Sequence, residues 1–309
     1  MKFLKIKIVK YCSCIVMGMV LFSSCKKDGN PNNLPDVNPA DYEGKIDGYN
    51  SSEEIFPKNL VAYWSFDDNK SELKTNTVPT ADINNTLVDG GVRGKALSLT
   101  AGYLYFSKQF EAFKSESFKS FTISEWVQIL NNGSKKTMIF QLARPGIFNG
   151  NINFVLETNL FAATVIDQLK IHPTFTNLAG TGTQDNINTK RDNPGDPNYF
   201  PYLTPTIGQN KWVHLVITYE TTTGVFNIWA DGVKVGAFPS RGVGTSTFKS
   251  HEPNEVIIGG NYNVIPGKSV NADASFAAMT GRIDEIRIYN KALPDAHIIA
   301  LYNLGKAGK

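Results

Sequence analysis

Residues 211–238 read KWVHLVITYETTTGVFNIWADGVKVGAF. The runs Lys211–Tyr219, Val225–Ala230 and Val233–Phe238 are rich in β-branched and aromatic residues, as a half-buried pleated surface favours. Asp231-Gly232 separates the last two runs. Asp-Gly there signals a hairpin, because a type I′ loop needs positive φ and glycine adopts it without a Cβ clash. Strand, hairpin and strand in so short a stretch set the fold class, and the pattern repeats outward. Upstream, Leu60–Phe66, Ala96–Leu99, Tyr103–Phe106, Phe121–Ile129, Thr137–Leu142, Asn153–Glu157 and Phe161–Ile166 read as strands; downstream, Glu255–Ile258 and Arg282–Tyr289 do. One helix is predicted at the C-terminus, with Pro294 in its first turn and Ile298, Ile299 and Tyr302 on one apolar stripe. Many short strands and one short C-terminal helix predict an all-β sandwich of two packed antiparallel sheets spanning residues 59–309.

The segments LVAYWSFDD (Leu60–Asp68), VRGKALSL (Val92–Leu99), FTISEWVQ (Phe121–Gln128), KWVHLVITYE (Lys211–Glu220), FNIWADGVKVG (Phe226–Gly236), VIIGG (Val256–Gly260) and GRIDEIRIYNKALPDAHIIALY (Gly281–Tyr302) follow in an order that resembles laminin-G-like domains of the concanavalin A-like lectin/glucanase superfamily. The version most similar is the bacterial one found in surface lipoproteins. The resemblance implies a jelly roll, one curved sheet on another, with the N- and C-terminal strands near each other. It also implies a structural Ca2+ held by Asp284 of the last long strand, by Asp67 near the first, and by backbone around Gly102. The residues themselves leave alternatives. Strict alternation over Arg282–Tyr289 places Asp284 with Ile286 and Ile288, so its carboxylate needs a cation, an arginine such as Arg282, or several loop amides.

The N-terminus carries Lys2, Lys5, Lys7 and Lys10 and no acid before an apolar core at Ile15–Phe22, then Ser23-Ser24-Cys25. The apolar run is short for a membrane span, and its flanks are those of an export signal. Small residues before Cys25 resemble the lipobox of bacterial lipoproteins, so residues 1–24 are expected to be a signal peptide and Cys25 the lipidated residue. The chain would then sit on the outer membrane by its lipid alone, at the cell surface or on the periplasmic face. Residues 25–58, with Pro31, Pro35 and Pro39, read as a tether, although Ile46, Tyr49, Ile55 and Phe56 are candidates to dock on the domain. Losing the four leader lysines takes the net charge from +3 to −1, which leaves no electrostatic case for nucleic acid. The only cysteines are Cys12, Cys14 and Cys25, so no disulfide framework or cysteine-zinc site is expected.

No catalytic signature emerges. Superfamily glycosidases carry acids spaced along one strand, because two carboxylates must flank the scissile bond. Asp284 and Glu285 are adjacent and would face opposite ways. His214, between Val213 and Leu215, reads as a structural histidine. The best ligand segment is Asn177–Asn210, 34 residues long, in which Tyr199, Phe200 and Tyr202 offer faces for sugar rings and Arg191 and Asp192 can bind hydroxyls. Ala143–Asn151 and Asn261–Phe276 are secondary candidates. The expected function is a non-catalytic carbohydrate-binding surface lipoprotein serving a polysaccharide-capture system. A protein-binding adhesin or accessory module, and a hydrolase or lyase with an unrecognised site, are the rival expectations.

Overall fold

The structure is a computed structural model and describes residues 43–188 and 204–309. Lys45–Lys309 form one compact unit. Its strands are β1 (Leu60–Trp64), β2 (Ala81–Asp89), β3 (Lys95–Phe106), β4 (Phe121–Gln128), β5 (Lys136–Arg144), β6 (Ile147–Leu156), β7 (Thr174–Thr176), β8 (Thr183–Asp185), β9 (Val213–Glu220), β10 (Val225–Ala230), β11 (Val233–Phe238), β12 (Glu255–Ile258), β13 (Phe276–Ala277) and β14 (Met279–Tyr289), followed by one α-helix, α1 (Asp295–Lys306). The expected two sheets are the halves of one curled sheet in the order β11-β10-β9-β4-β14-β3-β12-β5-β6-β7-β8. Every pairing in this path is antiparallel, and β13 alone runs parallel to its neighbour β5.

Between the layers lies one apolar core built by alternation: Ile123 and Val127 from β4, Val213, Leu215 and Ile217 from β9, and Phe140 and Leu142 from β5 point inward. A second cluster forms on the outer face, where α1 packs Ile298, Leu301 and Leu304 against Val216, Trp229 and Tyr289. Ile298 is buried there while Ile299 is exposed, so the apolar stripe runs through Leu301 and Leu304 instead of Ile299. Ile55 is fully buried in this cluster, with Ile46, Tyr49 and Phe56 against it, so residues 45–58 are part of the compact unit. The reason is burial: a leucine- or isoleucine-sized side chain gains about 1.5–3 kcal/mol by leaving water.

β14 organises the sheet. Its first half pairs with β3 and its last four residues pair with β1, while β4 runs along its other edge. At the hand-over the register with β4 jumps between Asp284↔Trp126 and Arg287↔Ser124, so Glu285 and Ile286 together oppose Glu125. Glu285 has φ +54°, the strained backbone of a bulge. The extra residue resets the alternation: Ile283, Ile286 and Ile288 all face the core. The expected placement of Asp284 beside Ile286 and Ile288 is therefore corrected; Asp284 shares the outer face with Arg282.

Two other differences have physical causes. Phe161–Ile166 is not a strand, because β5 and β7 already hold the two edges of β6. β2 was not expected from the sequence, being a mostly exposed polar edge strand with almost no apolar alternation.

Candidate functional site

A cavity of about 740 Å3 opens on the outer face where β3, β4 and β14 meet the turn into β5. Its floor is a cross-strand row: Arg282 is in register with Ser98 on one side and Gln128 on the other. Gly281 makes this approach feasible. It has φ +150°, and a Cβ there would lie 2.4 Å from the Gln128 carbonyl oxygen. Asn131, Asn132, Ser134 and Lys135 form one wall, Thr280 and Ala277 another, and Gln209 and Asn210 a third.

These polar groups differ in how far the protein uses them. The Asn132 carboxamide oxygen accepts from Ser134 N–H (2.9 Å) and Lys135 N–H (2.7 Å), which fixes the turn. Lys135 Nζ donates to the Ala274 carbonyl. With the Gln128 amide turned to suit its neighbours, its nitrogen donates to Gln209 C=O (2.9 Å) and its oxygen accepts from Trp212 Nε1 (3.2 Å). Asn131 donates to the carbonyls of Val165 (2.8 Å) and Gln168 (2.7 Å), yet its buried Oδ1 has no partner. Among the described residues, the Arg282 side chain has no hydrogen-bond or ion-pair partner. The cleft thus offers amide and hydroxyl groups and a cation, while Asn131 Oδ1 is sealed from solvent. None of its described lining residues is Asp or Glu.

Of the sequence-predicted binders, Arg191, Asp192, Tyr199, Phe200 and Tyr202 lie outside the described residues, as does Cys25. The described ends of that long segment are pinned. Asn188 Oδ1 accepts from Ile171 N–H (2.8 Å), Thr204 Oγ1 accepts from Leu169 N–H (2.7 Å), and Ile207 is buried in the core. The returning end then delivers Gln209 and Asn210 to the cleft. The two secondary candidate segments do meet, with Pro145 and Gly146 facing Tyr262 and Gly267–Val270 across a cavity of about 430 Å3. Beneath it Glu255 accepts from Tyr105 Oη (2.6 Å) and from Tyr262 Oη, and Lys268 donates to Tyr105 Oη (2.7 Å). Both tyrosines thus engage the same carboxylate oxygen, Oε2.

Asp67 and Asp284 converge on one tight turn, Gly91–Lys95, closed by Gly91 N–H to Gly94 C=O (3.1 Å). Asp284 Oδ2 accepts from Val92 N–H (2.6 Å) and Arg93 N–H (3.3 Å), and Oδ1 from Glu285 N–H (2.9 Å). Asp67 Oδ1 accepts from Lys95 N–H (3.1 Å). Burial, with the Glu285 charge second, pushes the Asp284 carboxyl up to about 8. Gly102 is opposite Met279, whereas Ile283, the residue before Asp284, is opposite Leu97; Gly102 is thus five residues along β3 from that pair. Calcium needs six to eight oxygen ligands. Four amide donors aimed at the two carboxylates do not fit such a cage, and no chemistry is derived through calcium.

The same strand carries a buried ionic knot. Arg287 pairs with Glu285, which also accepts from Tyr63 Oη (2.9 Å), while Arg287 Nη2 donates to Ser52 Oγ (2.9 Å). Two features escaped the sequence reading. Glu125, on the core side of β4, is wholly buried with both carboxyl oxygens unpartnered, and burial pushes it up to about 8. The row Ser98–Arg282–Gln128 is a property of pairing between strands distant in sequence, which no local pattern reveals. His214 is buried as expected of a structural histidine: its Nε2 meets Ser124 Oγ (2.8 Å), and burial, with Arg287 second, takes it down to about 3.

The sequence profile of the concanavalin A-like lectin/glucanases superfamily matches residues 102–299. The chain belongs to that superfamily. Among solved structures, the binding domain of Paraclostridial Mosquitocidal Protein 1 superposes with a TM-score of 0.53 at 16% identity, covering 80% of this chain and 52% of that one. A botulinum neurotoxin serotype D ligand binding domain in complex with N-acetylneuraminic acid gives 0.51 at 10% identity, covering 82% and 52%. The binding domain of botulinum neurotoxin DC, in complex with rat synaptotagmin II, gives 0.50 at 12%, covering 80% and 52%. The chain thus spans about half the length of these structures, and at such identities the likeness is one of fold. No curated protein matches the chain.

Proposed function

We propose that this protein is a carbohydrate-binding module and that the 740 Å3 cleft is its sugar site. The observation that carries the reading is the lining: amide and hydroxyl side chains surround a floor held rigid by three paired strands, with no carboxylate among the described residues. Sugars present closely spaced hydroxyls, and paired amide donors and acceptors match them. A glycosidase would need two acids about 5–10 Å apart at the bond it breaks. That the comparison structures are receptor- or ligand-binding domains, one with a bound sugar, supports a binding role. The complex with synaptotagmin II supports a protein partner as the second reading.

The wider setting belongs to the same proposal. Lipidation at Cys25 would place the domain on the outer membrane, where it would hold polysaccharide for an uptake system. Tyr199, Phe200 and Tyr202 would add stacking surfaces, with Arg191 and Asp192 binding hydroxyls.

A glycan array with the purified chain tests the site. Binding that falls at least about tenfold in Gln128→Ala and Asn210→Ala, each removing an amide with one to three hydrogen bonds, is expected. Tyr199→Ala and Tyr202→Ala measure what the long segment adds. Full binding in both cleft variants moves the site elsewhere.

A further inference from the structure

The cleft contains a cation that the fold does not use. Arg282 stands between Ser98 and Gln128, half-buried, its side chain with no hydrogen-bond or ion-pair partner among the described residues. The acid nearest along its own strand is Asp284, whose two oxygens are occupied by the amides of Val92, Arg93 and Glu285. Among the described residues, the only other charged one in the lining is Lys135, also cationic. Guanidinium is a rigid fork that matches a carboxylate with two parallel hydrogen bonds, and leaving it without an anion in a partly desolvated cleft is the less favourable state.

The positive character continues past the first cleft. Gln209 and Asn210 line it, and the next two residues, Lys211 and Trp212, line a neighbouring cleft of about 460 Å3 with Lys306, Tyr302 and Asp231. Asp231 Oδ1 accepts from His214 N–H (2.9 Å), and its charge offsets part of that of Lys211 and Lys306. Trp212 is half-buried and presents part of its ring.

We infer that the ligand is an acidic oligosaccharide whose sugar carboxylate binds Arg282, the chain continuing over Trp212 toward Lys211 and Lys306. This rests on the carbohydrate reading of the cleft and names its chemical class. A neutral glycan leaves Arg282 uncompensated; an acidic one removes the mismatch.

The test uses matched glycan pairs differing only in the carboxylate: sialyllactose with lactose, oligogalacturonate with its methyl ester, and hyaluronan oligosaccharides with their carboxyl-reduced forms. The purified full-length chain is expected to bind the acidic member of at least one pair about 10–100-fold more tightly, the worth of a charged hydrogen-bonded contact. That preference should weaken with added salt and vanish in both Arg282→Met and Arg282→Gln, with Arg282→Lys retaining part of it. Wild-type melting temperatures in these variants show that the fold is intact. Equal binding within each pair, or a preference that survives both neutral variants, overturns the inference while leaving the carbohydrate reading in place. No binding to any member overturns both.

Discussion

Both halves of β14 carry charge, and the charges have opposite fates. Gly281-Arg282 opens onto a cleft, and the guanidinium there has no partner among the described residues. Asp284-Glu285-Ile286-Arg287 follows at once, and its charged groups are consumed by the protein. Asp284 caps the turn at Val92 and Arg93, while Glu285 and Arg287 pair with each other and with Tyr63 and Ser52. Charge in a sequence therefore does not distinguish a structural residue from a ligand-binding one; what distinguishes them is whether the fold has already supplied partners.

The comparison can be broken most sharply at Arg287. Arg287→Ala leaves Glu285, which is 1% exposed, with only the longer Arg93 contact (3.6 Å), and should cost about 3–5 kcal/mol by urea unfolding. Stability close to wild type would show that the second half of β14 is not held by this knot. Asp284→Ala should cost about 1–3 kcal/mol, because three backbone N–H groups lose their acceptor. Calcium or chelator should leave the melting temperature of the wild type unchanged; a calcium-dependent rise abolished by Asp284→Ala would mean that a cation replaces those amides.

Glu125, opposite the bulge, sharpens the contrast as a carboxyl with no partner at all. Its pKa is raised from the ordinary 4.5 to about 8, and that of Asp284 from 3.8 to about 8. The folded state thus holds protons that the unfolded chain releases near pH 4–5. That contribution is fully present below the unfolded values and is lost as pH rises through about 8. The melting temperature should decline from pH 5 to pH 8, and Glu125→Gln should flatten part of the decline. A pH profile identical to wild type in that variant contradicts the buried acid's role. The smallest effect belongs to Arg282→Met, which should change stability by no more than about 0.5 kcal/mol.

The fold was legible because alternation and turn chemistry are local: Val225–Ala230, Val233–Phe238 and Glu255–Ile258 appear with the predicted bounds. The bulge was not, since Glu285 takes positive φ only because β14 changes partner from β3 to β1. β2, with Asn84, Asn85 and Thr86 at its centre, is a strand by virtue of the free edge of β3 and not by its own composition. For the site, the sequence pointed to the segment ending at Asn210, and its last two residues do line the cleft. The floor was invisible, because Ser98, Gln128 and Arg282 lie far apart in the chain and nothing in their neighbourhoods marks them as a set.

The most direct test of the central claim is a crystal structure with the best oligosaccharide from the array. The account predicts sugar density against Gln128, Asn131 and Arg282 on the outer face of β3, β4 and β14. Sugar bound away from that cleft, with these three side chains untouched, would contradict it.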